Sequence, residues 1–129
     1  MTTQNRKFRI LVIDDDVQLV ESSADYFRQM LNAIVFTASS MHQAVMAIDD
    51  QGPFDILVSD YQIPPFTAVD LARHLRNALD KTPLLLHSGF DSIDEGEFED
   101  SNYLGLVAKP DIRGLVRRIL ERFPDAKRS

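Results

Sequence analysis

Short β-rich apolar runs alternate along the chain with stretches of helical periodicity, and this alternation restricts the fold more than any other feature. The runs are FRILVI from Phe8, IVFTA from Ile34, FDILVS from Phe54, LLLH from Leu84 and LGLVA from Leu104, which imply five strands. Between them Val20, Ala24, Phe27 and Leu31 recur at helical spacing, as do Met41, Ala44, Val45 and Ile48, then Ala68, Leu71, Ala72, Leu75 and Leu79. Ile112, Leu115, Val116, Ile119 and Phe123 close the series. Ser40 with Gln43, Thr67 with Asp70, and Asp111 mark helix starts. Residues 91–102 are the weak link. Gly96 and crowded like charges oppose helix, and only Ile93 and Phe98 offer an apolar face, so a short or mobile helix is expected there.

Strict alternation calls for parallel strands joined by crossovers, and strands apolar throughout call for cover on both faces. The expected fold is therefore a three-layer, doubly wound α/β domain with a five-stranded parallel sheet. A chain of 129 residues suffices for one such domain, here residues 1–129 with 1–6 and 125–129 as flexible ends. The absence of cysteine removes disulfides and thiolate metal sites and fits a reducing compartment, so the cytoplasm is the expected location. No apolar run approaches the roughly 20 residues of a membrane span, and MTTQNRKF lacks the core of a signal peptide. A net charge of -6 argues against direct nucleic-acid binding. Charge is unevenly placed: residues 91–100, DSIDEGEFED, are dense in carboxylates, whereas Arg113, Arg117, Arg118, Arg122, Lys127 and Arg128 make the C-terminal stretch basic. Two readings stay open for the 91–123 face, two solvated surfaces or a partner and homodimer surface.

In open sheets of this kind ligands bind at the carboxyl ends of strands, where the winding order reverses. The first run ends in Asp14, Asp15 and Asp16, the third in Asp60, the fourth in Ser88, and the fifth in Lys109 followed by Pro110. Two carboxylates about 4 Å apart repel by roughly 4 kcal/mol at an effective dielectric near 20, so a convergent set needs a cation. Oxygen ligands without His or Cys suit Mg²⁺, with Mn²⁺ as the other choice. An aspartate is already anionic and can act as a nucleophile without a general base. A metal, a hydroxyl and an ammonium could then share the three equatorial oxygens of a phosphoryl group. Taken singly, each residue has an ordinary explanation: the triple Asp as a helix cap, Asp60 as a turn residue, Ser88 as a strand end and Lys109 as a solvated cation. Their coincidence on four strand ends favours chemistry.

ILVIDDD, DILVSDYQIP, LLLHSG and VAKP, in this order, resemble the receiver domain of bacterial response regulators over essentially the whole chain. The resemblance implies the flavodoxin-like strand order 2-1-3-4-5. It implies that Asp60 is the phosphoacceptor, that Asp14, Asp15, Asp60 and the backbone carbonyl of Gln62 hold Mg²⁺, and that Ser88 and Lys109 contact the phosphoryl group. It also implies a cis bond between Lys109 and Pro110. The function that follows is Mg²⁺-dependent acceptance of a phosphoryl group from a histidine kinase or histidine phosphotransfer protein. A conformational switch would then regulate an output, with no enzymatic activity beyond self-catalysed acceptance and autodephosphorylation. Two features depart from the family: Ala68 stands where glycine is usual, and Leu106 where Tyr or Phe is common. No output domain is expected within the chain, which reads as a single-domain regulator or a piece of a larger protein, a hybrid kinase included.

The competing enzyme reading is a Mg²⁺-dependent phosphohydrolase of haloacid dehalogenase type, which Asp14 and Asp16 imitate. Gln18 stands where that motif wants Thr or Val, and no capping insertion has room. A third reading is a phosphorylation-independent interaction module. Pro64 and Pro65 read as a loop that delays the next helix, and His42, His74 and His87 as surface or core packing rather than as sites.

Overall fold

The computed structural model describes residues 6–89, 93–99 and 102–128. The main-sheet strands are β1 (Phe8–Ile13), β2 (Ala33–Ala38), β3 (Ile56–Ser59), β6 (Leu84–Ser88) and β7 (Tyr103–Ala108), and two-residue strands β4 (Gln62–Ile63) and β5 (Phe66–Thr67) form a separate antiparallel pair. The helices are α1 (Val17–Met30), α2 (Met41–Gln51), α3 (Ala68–Asn77) and α4 (Ile112–Arg122). All pairings in the main sheet are parallel, in the order β2-β1-β3-β6-β7. Counting main-sheet strands alone, this is 2-1-3-4-5.

Alternation along each strand divides the apolar residues between two cores, because successive side chains leave opposite faces of a sheet. Phe8, Ile10 and Val12 of β1 join Val58, Leu85 and Val107 on the face covered by Val20, Ala24 and Phe27 of α1 and Leu115, Val116 and Ile119 of α4. Leu11 and Ile13 join Leu57, Leu84 and Leu86 on the other face, covered by Met41 and Ala44 of α2 and Leu71, Ala72 and Leu75 of α3. Full burial of each such Leu, Ile, Val or Phe contributes roughly 1.5–3 kcal/mol.

The helix starts are capped as the sequence suggests. Ser40 Oγ accepts from the Gln43 N–H at 3.1 Å, Asp111 Oδ1 accepts from the Gly114 N–H at 2.8 Å, and Thr67 and Asp70 form a reciprocal capping box. Asp16, the last of the acidic triplet, caps α1 by accepting from the Leu19 N–H at 3.1 Å.

The stretch expected to hold a short or mobile helix holds a short one, the four-residue 3-10 helix Glu95–Phe98, anchored by the fully buried Phe98. Residues 91, 92, 100 and 101 of that expectation lie outside the described residues. Pro64 and Pro65, read as a loop that delays the next helix, form the turn between β4 and β5; the two-residue pairing on either side of them was not foreseen. Within the stretch 125–129, Ala126 is buried, Lys127 pairs with Leu31, and Arg128 donates to the Arg28 carbonyl at 3.0 Å, while residue 129 lies outside the described residues. Nothing in its polar composition announced these partners, which the end of α1 and the residue after it supply from about a hundred residues away. Of the expected N-terminal end, residues 1–5 lie outside the described residues, and Arg6 is paired with Asp55 at 3.0 Å.

Candidate functional site

The chain runs from β1 outward to β2 and then returns across β1 to begin β3, so the winding reverses between β1 and β3. Ile13 and Ser59, the last residues of those strands, are register partners. The residues that follow them, Asp14 and Asp60, therefore emerge side by side, and the Asp60 N–H donates to the Ile13 carbonyl at 2.9 Å. Ser88 ends β6 opposite Ala108, and the Lys109 N–H donates to the Ser88 carbonyl at 3.0 Å. Topology thus gathers residues from four strand ends onto one rim.

Lys109 Nζ lies 2.8 Å from Asp14 Oδ2 and 3.1 Å from Asp60 Oδ2, bridging both carboxylates. Asp14 Oδ1 accepts from the Asp16 N–H at 2.9 Å, and Asp60 Oδ1 from the Gln62 N–H at 3.4 Å. Burial raises the Asp14 pKa above the ordinary carboxylate range, with the Lys109 hydrogen bond opposing and the charge of Asp60 adding. Burial alone would lower the Lys109 pKa, but its hydrogen bonds to Asp14 and Asp60 outweigh this and raise it. The Lys109–Pro110 bond is cis, as are Gly52–Pro53 and Pro64–Pro65.

Ligand-capable oxygens of Asp14, Asp15 and Asp60 all lie within 4.8 Å of one another. An oxygen-only set of this kind fits a hard divalent cation such as Mg²⁺. Asp15 is exposed and Asp14 and Asp60 are buried, so a bound ion would have protein on one side and room for water or phosphate oxygens on the other. Gln62 opens β4, with its backbone against Asp60. Ser88 is buried at the end of β6.

Sequence reasoning missed one buried neighbour. Ser59 Oγ donates to the Asp60 carbonyl at 2.8 Å, fixing the peptide that carries the carboxylate; its signal was faint, a polar residue closing an otherwise apolar strand. His87, read as surface or core packing, is buried in β6 beside Ser88.

The doubly wound sheet thus carries, at the carboxyl ends of its strands, paired carboxylates bridged by an ammonium, with a buried serine at the end of the neighbouring strand. The sequence matches the family described as "Response regulator receiver domain" over residues 10–120. Response regulator MprA of Mycobacterium avium (strain 104) is 33% identical over 90 residues, covering 67% of this chain and 37% of that protein. The chain thus spans little more than a third of the length of such curated relatives. The receiver domain of the Francisella response regulator 1452 superimposes with a TM-score of 0.80 at 24% identity, over 94% of this chain and 100% of that one. Chemotaxis response regulator CheY4 of Vibrio cholerae does so with a TM-score of 0.72 at 21% identity, over 88% of this chain and 99% of that one. These two likenesses bear on the fold. The chain belongs to the response regulator receiver-domain family, and its role is that of a phosphoacceptor in two-component signalling. The family match decides against the haloacid dehalogenase reading.

Proposed function

We propose that Asp60 accepts the phosphoryl group, with Asp14, Asp15, Asp60 and the Gln62 carbonyl holding Mg²⁺ and with Ser88 and Lys109 contacting phosphoryl oxygens. The observation that carries this reading is the Lys109 ammonium seated between Asp14 and Asp60 at 2.8 and 3.1 Å. A cation held there by two carboxylates is placed to follow negative charge onto a phosphoryl group on Asp60. Mg²⁺, when bound, neutralises the carboxylates and phosphoryl oxygens; Mn²⁺ would serve the same donor set.

In the transfer, an Asp60 carboxylate oxygen forms a bond to phosphorus as the bond to the donor imidazole nitrogen breaks, and that leaving nitrogen takes a proton from solvent. The hydrogen bonds from Gln62 N–H and Lys109 keep the carboxylate oriented, and the Ser59 hydroxyl fixes its backbone. Water attack on the acyl phosphate later releases inorganic phosphate and restores the carboxylate, so the cycle is self-catalysed acceptance and autodephosphorylation rather than turnover of a free substrate. The donor is a histidine kinase or histidine phosphotransfer protein, and the cytoplasm is the setting this chemistry suits. Among the described residues no helix is long and apolar enough to cross a membrane.

Incubation with acetyl phosphate and Mg²⁺ followed by intact-mass measurement tests the assignment. One added phosphoryl group is expected, absent with chelator and absent in Asp60→Ala. A wild-type protein left unmodified by acetyl phosphate and by histidine-bound donors would replace this reading with that of a phosphorylation-independent interaction module.

A further inference from the structure

All five residues of β6 are buried, and four of them are leucines and a serine that a sheet core accommodates readily. The fifth is His87. Its register partner is Val107 on β7, and it shares with Leu85 the face packed by α1 and α4. It is 5% exposed, and its Nε2, shielded from solvent, has no hydrogen-bond partner among the described residues. Leaving such a nitrogen unsatisfied costs about 1–3 kcal/mol. An aliphatic side chain would avoid that cost.

His87 also lines a cavity of about 10 Å³. Its other polar walls are Asp14, Ser23, Ser59 and Asp60, and the remainder is aliphatic surface from β1, β3, α1 and α4. About one water-sized sphere fits such a space, and a buried water needs two to four polar partners, which this lining can offer. Burial and the charge of Lys109 push the His87 pKa down to about 4, so the ring is neutral near pH 7. A neutral imidazole nitrogen either accepts from water or donates to it, according to tautomer.

We infer that this cavity is a binding site for a single water molecule, held by His87 Nε2 beneath the acid pair and linking β6 to Asp14, Asp60 and α1. His87 is thereby a positioning residue: it acts on the carboxylates through the water. This second part rests on the proposed role of Asp14 and Asp60 in binding Mg²⁺.

High-resolution crystal structures of the wild type, His87→Leu and His87→Gln test the water itself. The wild type should show an ordered water within hydrogen-bond distance of Nε2 and of at least one other polar wall; His87→Leu should lack it and His87→Gln keep it. A dry wild-type cavity, Nε2 bonded to a protein group, or a water indifferent to His87→Leu would overturn the site. Calorimetric titration with Mg²⁺ tests the positioning. Affinity should fall about tenfold in His87→Leu, as for loss of an outer-shell partner, and recover in His87→Gln. Equal affinity in all three proteins would overturn the positional role. A wild type that binds no Mg²⁺ would count against the metal assignment, while the crystallographic result stands apart from it. Should His87→Leu fail to fold, His87→Met, which fills the space without a comparable hydrogen-bonding nitrogen, takes its place in both experiments with the same expected and overturning results.

Discussion

Lys109 neutralises two buried carboxylates at once, so its removal leaves Asp14 and Asp60 facing each other without a cation. Breaking a buried pair costs about 3–5 kcal/mol, and partial exposure of the ammonium reduces this, so Lys109→Met should destabilise the metal-free protein by about 1–3 kcal/mol. Added Mg²⁺ should restore much of the loss, because it supplies the missing positive charge. Urea titrations in chelator and in Mg²⁺ measure both, and an equal loss in the two conditions would contradict the account. His87 makes a separate prediction at this scale. Its folded pKa lies near 4 and its ordinary value near 6.5, so between these the unfolded chain binds more protons and stability falls as pH falls. Lys109, Asp60 and Asp111 are the charged groups that act on it. The full loss is on the order of 3 kcal/mol. Urea midpoints from pH 7 to 5 should decline in the wild type and decline less in His87→Leu; parallel curves would remove His87 as the cause.

The Glu95–Phe98 turn hangs on one buried side chain, since Phe98 stacks on Tyr103 with centroids 4.9 Å apart and meets Tyr61 edge-on at 6.4 Å. Tyr103 also donates to Glu95, and this bond together with burial raises its pKa. Tyr61 directly follows Asp60, so the turn touches the segment after Asp60 through an aromatic side chain, whereas Leu106 on β7 has no ring to contribute. Phosphorylation is therefore expected to alter residues 93–99 more than the surroundings of Leu106. Hydrogen exchange with and without beryllofluoride and Mg²⁺ checks this, and change confined to β7 would contradict it. Phe98→Ala should raise exchange in the turn even without phosphoryl mimic. On β7, Gly105 has φ +118° and an added Cβ would lie 2.6 Å from the Arg118 guanidinium, which donates to the Leu104 carbonyl. Gly105→Ala would combine backbone strain with loss of that cover on the sheet edge.

At the scale of the molecule, the acidic stretch around Glu95, Glu97 and Glu99 and the basic side chains of α4 flank β7, the sheet edge farthest from β2. Opposite charges on neighbouring surfaces of one chain can steer two copies together, and salt should weaken that steering. Sedimentation with beryllofluoride and Mg²⁺ at low and high salt is expected to show a dimer favoured at low salt. A monomer under every condition would leave the two surfaces merely solvated.

Fold class, the five strands of the main sheet and the residues at their ends were legible in the sequence because they depend on local chemistry. Period-two and helical apolar spacing, caps such as Ser40 and Asp111, and acids placed just after apolar runs need no knowledge of distant neighbours. The strand order came from resemblance to a family, since no local signal states which strands pair. Only tertiary structure decided that Asp16 caps α1 while Asp14 meets Lys109, because the partner of Asp16 lies three residues away on the helix and that of Asp14 at the end of a distant strand. It likewise decided that the Glu95–Phe98 turn is pinned by Phe98, that the tail packs on α1, and that His87 lies buried beside a polar cavity. Each depends on what residues far apart in the chain present to one another, and burial among such residues sets the charge and bonding that composition leaves open.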